Sequence, residues 1–176
     1  VAAVSCATNR LDQVFRTLDI DGDGFLEWSD LQRLVDRYLA VFSVNADSLP
    51  GRGLRAAYEM EWLHLRRQVG GRPRLAAEEF PAAVAAASAD TSRFDLLENV
   101  PQAIFDLMDS DGDDAIDRTD FARFLEVWQI PAGTGQRAFT AMDRDADGLV
   151  SRHEFVTSVR EFHSDGSDRP GDLYLE

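Results

Sequence analysis

The sequence predicts an all-α protein in which four helix–loop–helix units form two pairs in one compact body, with a short β-bridge between the loops of each pair. Three observations predict it. An acidic twelve-residue segment occurs three times. The segments that flank it carry apolar residues at helical spacing. The distances between the repeats leave room for one more unit of the same size.

The repeats read DIDGDGFLEWSD at residues 19–30, DSDGDDAIDRTD at 109–120 and DRDADGLVSRHE at 143–154. Numbered one to twelve, each has Asp at positions 1, 3 and 5, an apolar residue at 8 and an acid at 12, and Leu31, Phe121 or Phe155 opens the next segment. Before the first loop, Leu11, Val14, Phe15 and Leu18 fall on one helical face. Leu31, Leu34, Val35 and Tyr38 do so after it, Phe121, Phe124, Leu125 and Trp128 after the second repeat, and Phe155, Val159 and Phe162 after the last. Helix, twelve-residue acidic loop, helix is the EF-hand unit.

The last two repeats start 34 residues apart, a spacing that suits neighbours that pair, whereas the first two start 90 apart. Between them, Leu54, Ala57, Tyr58, Glu61, Trp62 and Leu65 mark a lead-in helix. QVGGRPRLAAEE (68–79) then ends in Glu79-Phe80 with Leu75 at position 8, but Gln68, Gly70, Arg72 and Pro73 stand where ligands and the turning glycine belong. This reads as a unit kept for packing and emptied of metal, with bridges pairing Leu26 with Leu75 and Ile116 with Val150. The expected domains are 1–90 and 91–176. NADSLPGRG (45–53) reads as a linker, Asp90-Thr91-Ser92 as a helix cap between the halves, and Pro101 as a bend or restart in the helix it occupies. The turn-rich tail carries Leu173, Tyr174 and Leu175, which are expected to dock on the body.

Hard divalent cations take oxygen ligands at this spacing: side chains at 1, 3 and 5, the carbonyl of 7, position 9 directly or through water, and position 12. The first loop offers Asp19, Asp21, Asp23, the Phe25 carbonyl, Glu27 and Asp30. The loop at 109–120 offers Asp109, Asp111, Asp113, the Ala115 carbonyl, Asp117 and Asp120. The last offers Asp143, Asp145, Asp147, the Leu149 carbonyl, Ser151 and Glu154. Ser151 and Glu154 also read as a capping box, and the two roles are compatible. Asp114 takes the place of the turning glycine, which costs about 1 kcal/mol, and a merely solvated acidic turn is the alternative there. Aspartate at position 12, as in Asp30 and Asp120, is one methylene short of the bidentate glutamate. Ca2+ is therefore expected at three sites, with Mg2+ competing at the Asp-terminated loops.

With four units, the second defunct, an elongated spacer before it and the closing helix SVREFH, the chain resembles the sarcoplasmic calcium-binding proteins, in particular their bacterial calerythrin-type members. The resemblance covers nearly the whole sequence. It implies two EF-hand pairs, three cations, and a role as a cytosolic Ca2+ buffer or signal modulator. Asp114 and Asp120 depart from the family's pattern and bear on the affinity of that loop.

The composition agrees. The 176 residues carry 32 acids against 18 bases, all of them arginine, for a net charge of −14. This suits a cation binder and argues against nucleic acid or an anionic membrane as partner. A single cysteine, Cys6, excludes an internal disulfide framework and fits a reducing cytoplasm. No signal peptide or membrane span is expected. His64, His153 and His163 are scattered without zinc-ligand spacing, and no catalytic constellation stands out, so an enzyme is not expected. Arg66, Arg67, Arg72 and Arg74 form a basic island, either a solvated loop offsetting nearby acid, a replacement for the missing cation, or a contact for an acidic partner. Trp28, at position 10, is expected to face outward, and Trp62 and Trp128 to join the core.

Two functional classes stay open. A buffer binds Ca2+ and changes little, whereas a sensor opens an apolar groove for a target protein. Three Met against eleven Phe favour a fixed core and the buffer. A monomer is expected.

Overall fold

The computed structural model describes residues 11–89, 94–130 and 132–164. Helix α1 covers 11–18, followed by β1 (Phe25–Glu27) and α2 (Trp28–Val41). Helix α3 (Leu49–Gln68) leads to β2 (Arg74–Ala76), a 3-10 turn over Ala77–Glu79, and α4 (Phe80–Ala89). Then come α5 (Phe94–Met108), β3 (Ala115–Ile116) and α6 (Arg118–Val127), and finally α7 (Ala132–Met142), β4 (Val150–Ser151) and α8 (Arg152–Ser164). The class is helical with two short antiparallel strand pairs, as the repeats predict. Among the described residues no helix is long and apolar enough to cross a membrane.

The strand pairs have the predicted register: Leu26 faces Leu75, and Ile116 faces Val150. All four side chains are fully buried. An isolated two- or three-residue strand has no stability in water. Here each one exchanges backbone hydrogen bonds with its partner while its central side chain enters the core, so each loop fixes the other.

The apolar helix faces merge into one cluster drawn from both halves of the chain. Phe15 meets Phe80 edge to face at 5.5 Å, and Phe105 meets Phe155 at 6.0 Å. Helices α2 and α6 touch, as do α3 and α5. Between the halves, Tyr38 lies 6.4 Å from both Phe124 and Trp128 and 6.5 Å from Tyr58, ring centre to ring centre. Trp128 donates its indole N–H to the Tyr38 hydroxyl at 2.7 Å, and Arg37 donates to the Val127 carbonyl at 3.0 Å. The polar atoms of the buried tyrosine and the half-buried indole thus satisfy one another. Burial raises the carboxyl of Glu61, on the α3 face that carries Trp62 and His64, and His64 lies with Nε2 3.3 Å from the Ala87 carbonyl oxygen.

Four expectations need correcting. The 45–53 segment is not all linker: α3 begins at Leu49, with Ser48 capping the Gly51 N–H at 3.2 Å. Pro50 sits in the first turn, where its missing N–H removes no helical bond. Pro101 does not restart α5; it is buried inside the continuous helix, and packing against α3 outweighs the lost hydrogen bond. Trp28 does not face outward but lies half-buried against the core, and Trp128 is likewise half-buried, unlike Trp62. The cap at 90–92, the tail residues Leu173, Tyr174 and Leu175, and Cys6 lie outside the described residues, as do the side chains of Phe162 and His163.

Gly51 shows how closely the start of α3 approaches the chain before it. A Cβ there would stand 2.5 Å from the Asn45 carbonyl oxygen and 3.1 Å from the Ala46 Cα, both backbone atoms. Gly51→Ala is therefore expected to lower unfolding free energy by about 1–3 kcal/mol, although alanine favours helix. Urea denaturation checks this, with Gly53→Ala, which meets nothing within 4 Å, as the control.

Candidate metal centres

Each acidic loop is shaped by its own carboxylates. Asp19 accepts the N–H groups of Gly22 at 2.9 Å, Asp23 at 3.2 Å and Gly24 at 3.0 Å. Asp109 repeats this with Gly112 at 2.8 Å, Asp113 at 3.1 Å and Asp114 at 3.1 Å. Asp143 accepts Gly148 N–H at 3.1 Å, while its Oδ1 is buried without a hydrogen-bond partner. At position 5, Asp23, Asp113 and Asp147 each accept the N–H of position 7, at 2.8, 3.0 and 2.8 Å. The backbone amides absorb part of the negative charge and curl the chain around the remaining oxygens.

This curl requires left-handed backbone at positions 4 and 6. Gly22, Gly24, Gly112 and Gly148 supply it freely, with φ between 72° and 90°. Asp114 takes φ 63° as expected, and Ala146, at position 4 of the last loop, takes φ 59°. The otherwise regular last loop thus carries its own strained residue, at a cost of about 1 kcal/mol. The signal was present, since the other two acidic loops have glycine at that place.

Three sets of carboxylates converge, each with oxygens within 4.8 Å of one another: Asp19, Asp21 and Asp30; Asp109, Asp111 and Asp113; Asp143, Asp145 and Glu154. Of the other predicted residues, Asp23 and Asp147, like Asp113, hold position 7 as described; Phe25 and Ala115 lie in strands opposite Ala76 and Ser151, and Leu149 immediately precedes β4. Asp117 turns to cap α6, accepting Thr119 and Asp120 N–H at 2.7 and 2.9 Å. Ser151 and Glu154 form the expected capping box: Glu154 accepts the Ser151 N–H at 2.9 Å and hydroxyl at 2.7 Å. Glu27, at position 9, precedes α2, and its N–H goes to Asp30 at 3.0 Å. Asp120 stands 3.6 Å from Arg123 and is not in the converging set of its loop.

The closing acids are shifted in opposite directions by their surroundings. Asp30 is raised above the usual aspartate range by burial, since it is 1% exposed, and by the charges of Asp21 and Asp19. Burial and the charge of Asp117 likewise raise Asp120. Burial also works to raise Glu154, but the Ser151 hydroxyl and backbone N–H groups outweigh it and hold the group below its usual value.

Arginines contact the loops in ways the sequence reading missed. Arg33 donates to Asp21 at 2.8 Å and Asp30 at 3.3 Å. Arg152 donates to Asp114 at 2.6 Å and Asp106 at 2.5 Å, with its guanidinium 4.3 Å over the Phe105 ring. The i,i+3 spacing of Asp30–Arg33 and Asp120–Arg123 was the available signal. In the segment without ligand residues, Arg72 pairs with Glu79 and donates to the Val69 carbonyl at 3.0 Å. Arg66 donates to the carbonyls of Gly71 and Arg72 at 2.7 and 2.8 Å. Arg74 lies 4.2 Å over the Phe25 ring.

The family model described as EF hand matches residues 11–35 and 136–159. A calcium-binding protein from Streptomyces coelicolor, solved as the structural basis for prokaryotic calcium-mediated regulation, is 30% identical. The alignment covers 90% of this chain and 98% of that one, with a TM-score of 0.77. The chain belongs to the EF-hand family. Over nearly its full length it is similar to calerythrin from Saccharopolyspora erythraea, at 25% identity over 162 residues, 89% of this chain and 92% of calerythrin. The Mg2+-loaded apo form of berovin, a light-sensitive ctenophore photoprotein, is 26% identical, covering 89% and 88% of the two chains at a TM-score of 0.75.

The Arg72–Glu79 pair predicts a pH dependence. The hydrogen bond from Arg72 holds Glu79 below its usual value of 4.5. Glu79 then stabilises the fold above that value and loses its contribution as pH falls through the lower folded value. In chelator, Glu79→Gln is expected to be less stable than the parent at neutral pH, with the difference closing below pH 4.5. Thermal melts across pH 3–7 (roughly the range over which a carboxylate titrates) check this.

Proposed function

We propose that this protein binds three Ca2+ ions, in loops 19–30, 109–120 and 143–154, and acts as a calcium buffer or modulator. The observation that carries the proposal is the convergence of three carboxylate sets in loops with the same amide pattern. The donors fit the ion: every group is oxygen, and the buried Asp143 Oδ1 has no protein partner. Asp19, Asp21, Asp23 and Asp30 would hold the first ion with Glu27 and the Phe25 carbonyl. Asp109, Asp111, Asp113, Asp117 and Asp120 would hold the second with the Ala115 carbonyl, and Asp143, Asp145, Asp147, Ser151 and Glu154 the third with the Leu149 carbonyl. Each bound ion would supply two positive charges to carboxylates that otherwise repel.

Mg2+ competes at the two loops that close with aspartate, since a single-oxygen closing ligand suits six-fold coordination. All three Ca2+-binding loops of berovin, a protein of similar fold, bind Mg2+, which supports this reading. Residues 1–90 and 91–176 form two EF-hand pairs. In the first, Arg66 and Arg72 take over, on the loop carbonyls and Glu79, the part that a cation plays elsewhere.

The packing supports a buffer. Phe, Leu and Trp side chains of both halves share one cluster, and the exposed large apolar residues among those described are Leu49, Met60, Leu63 and Leu149. A specific observation favours regulation of a target protein as the second reading: a groove of about 510 Å3 between α6 and α7, lined by Phe121, Leu125, Ile130 and Phe139. The relative from Streptomyces coelicolor is described as regulatory. On either reading the protein is a cytoplasmic monomer without enzymatic activity.

An apolar dye, followed in chelator, in Mg2+, and in Ca2+ over Mg2+, separates the two. The buffer predicts no rise in dye fluorescence when Ca2+ replaces Mg2+; a strong Ca2+-specific rise assigns the protein to target regulation. Glu154→Gln is expected to weaken Ca2+ binding in the last loop about 100-fold or more, because loss of even an outer-shell partner costs about 10–100-fold. Calorimetric titration reads this as the loss of one of three binding events.

A further inference from the structure

We infer that Arg33 is a tethered cation that competes with the divalent ion for the first loop and so sets its affinity downward. The inference rests on the three-site reading above. Arg33 follows the closing Asp30 by three residues on α2, and its guanidinium touches two of the three carboxylates that converge in that loop. It lies 2.8 Å from Asp21 Oδ2 and 3.3 Å from Asp30 Oδ1. The other Asp30 oxygen is taken by the Glu27 N–H at 3.0 Å. Both oxygens of the closing acid are therefore engaged, one by the helix cap and one by the arginine.

The arrangement recurs where the closing acid is aspartate. Arg123 stands three residues after Asp120, at 3.6 Å. Where the closing acid is glutamate, that position is occupied by Thr157 after Glu154 and by Ala82 after Glu79. In the last loop the neighbouring guanidinium of Arg144 is turned to Glu161 at 2.6 Å, and Glu154 is held by Ser151 and backbone N–H groups.

A cation held by Asp19, Asp21 and Asp30 competes with the guanidinium for two of them, and at Asp30 both oxygens are already engaged. The lost ion pairs oppose binding, and so does the positive charge that remains beside the site. Both effects have the same sign. Arg33 is 48% exposed, so it can leave without disturbing the core and can be replaced without unfolding the protein.

The test is Arg33→Gln, with Arg33→Lys as the charge-keeping comparison. Ca2+ is titrated by NMR on the backbone amides of Gly24, Asp114 and Gly148, each of which reports one loop. The expected result is a first-loop half-saturation about three- to tenfold lower in Arg33→Gln, the size appropriate to partly exposed ion pairs, with Gly148 unchanged and Arg33→Lys in between. In chelator the same variant is expected to melt at a lower temperature, because the arginine no longer offsets repulsion between Asp21 and Asp30. Opposite signs with and without the ion distinguish competition from a structural role, which weakens both. If the parent Gly24 signal titrates but Arg33→Gln binds no more tightly, the inference is overturned and the three-site reading stands. If the parent Gly24 signal does not respond to millimolar Ca2+, the three-site reading falls, and the inference with it.

Discussion

Fifteen of the 32 acids lie in three twelve-residue loops, and their mutual repulsion is the constraint around which the rest of the protein is arranged. Without compensation, carboxylates a few ångströms apart would push each loop open or take up protons. Backbone amides compensate first: the first aspartate of each loop collects N–H groups from the following turn. This bonding demands left-handed backbone, and so it dictates where glycine, or a residue that tolerates strain, must stand. Arginines compensate next, at Asp21, Asp30, Asp114 and Asp120.

A loop under such strain must be held from behind. The side chain at position 8 does this, entering the core from a strand too short to stand alone. The same need explains why a segment with no ligand residues keeps its shape. Leu75 lies opposite Leu26, and the arginines of that segment bond its own carbonyls and Glu79. Losing it would unpair β1 and release the first loop from the core.

The fold and the shape of the loops were legible because they rest on short-range periodicities: apolar residues every three or four positions, acids every two, and an apolar residue at position 8. What escaped the sequence depends on contacts between distant residues. Pro50, Gly51 and Gly53 look like breakers, yet α3 starts before them, because a proline in the first turn costs no bond and Gly51 faces the backbone of Asn45. Pro101 looks like a restart, yet packing with α3 keeps α5 continuous. The reach of Arg152 to Asp114, 38 residues away, has no local signature. Ala146 is different. Its strain could have been read from the glycines at the matching place, and was masked by the regular ligand pattern around it.

Tyr38 and Trp128 are 90 residues apart, and so are Arg37 and Val127; the first two acidic loops start at that same interval. In each contact a residue of one half therefore meets its own counterpart in the other, as happens on the two-fold axis of a symmetric dimer. A position on such an axis must be complementary to itself. Two arginines there would repel, and two indoles would both present donors. Covalent fusion of the halves lifts that restriction, because each copy can carry a different residue. An arginine can then find a carbonyl, and an indole a phenol. The seam between the halves is joined through the asymmetry that a single chain permits.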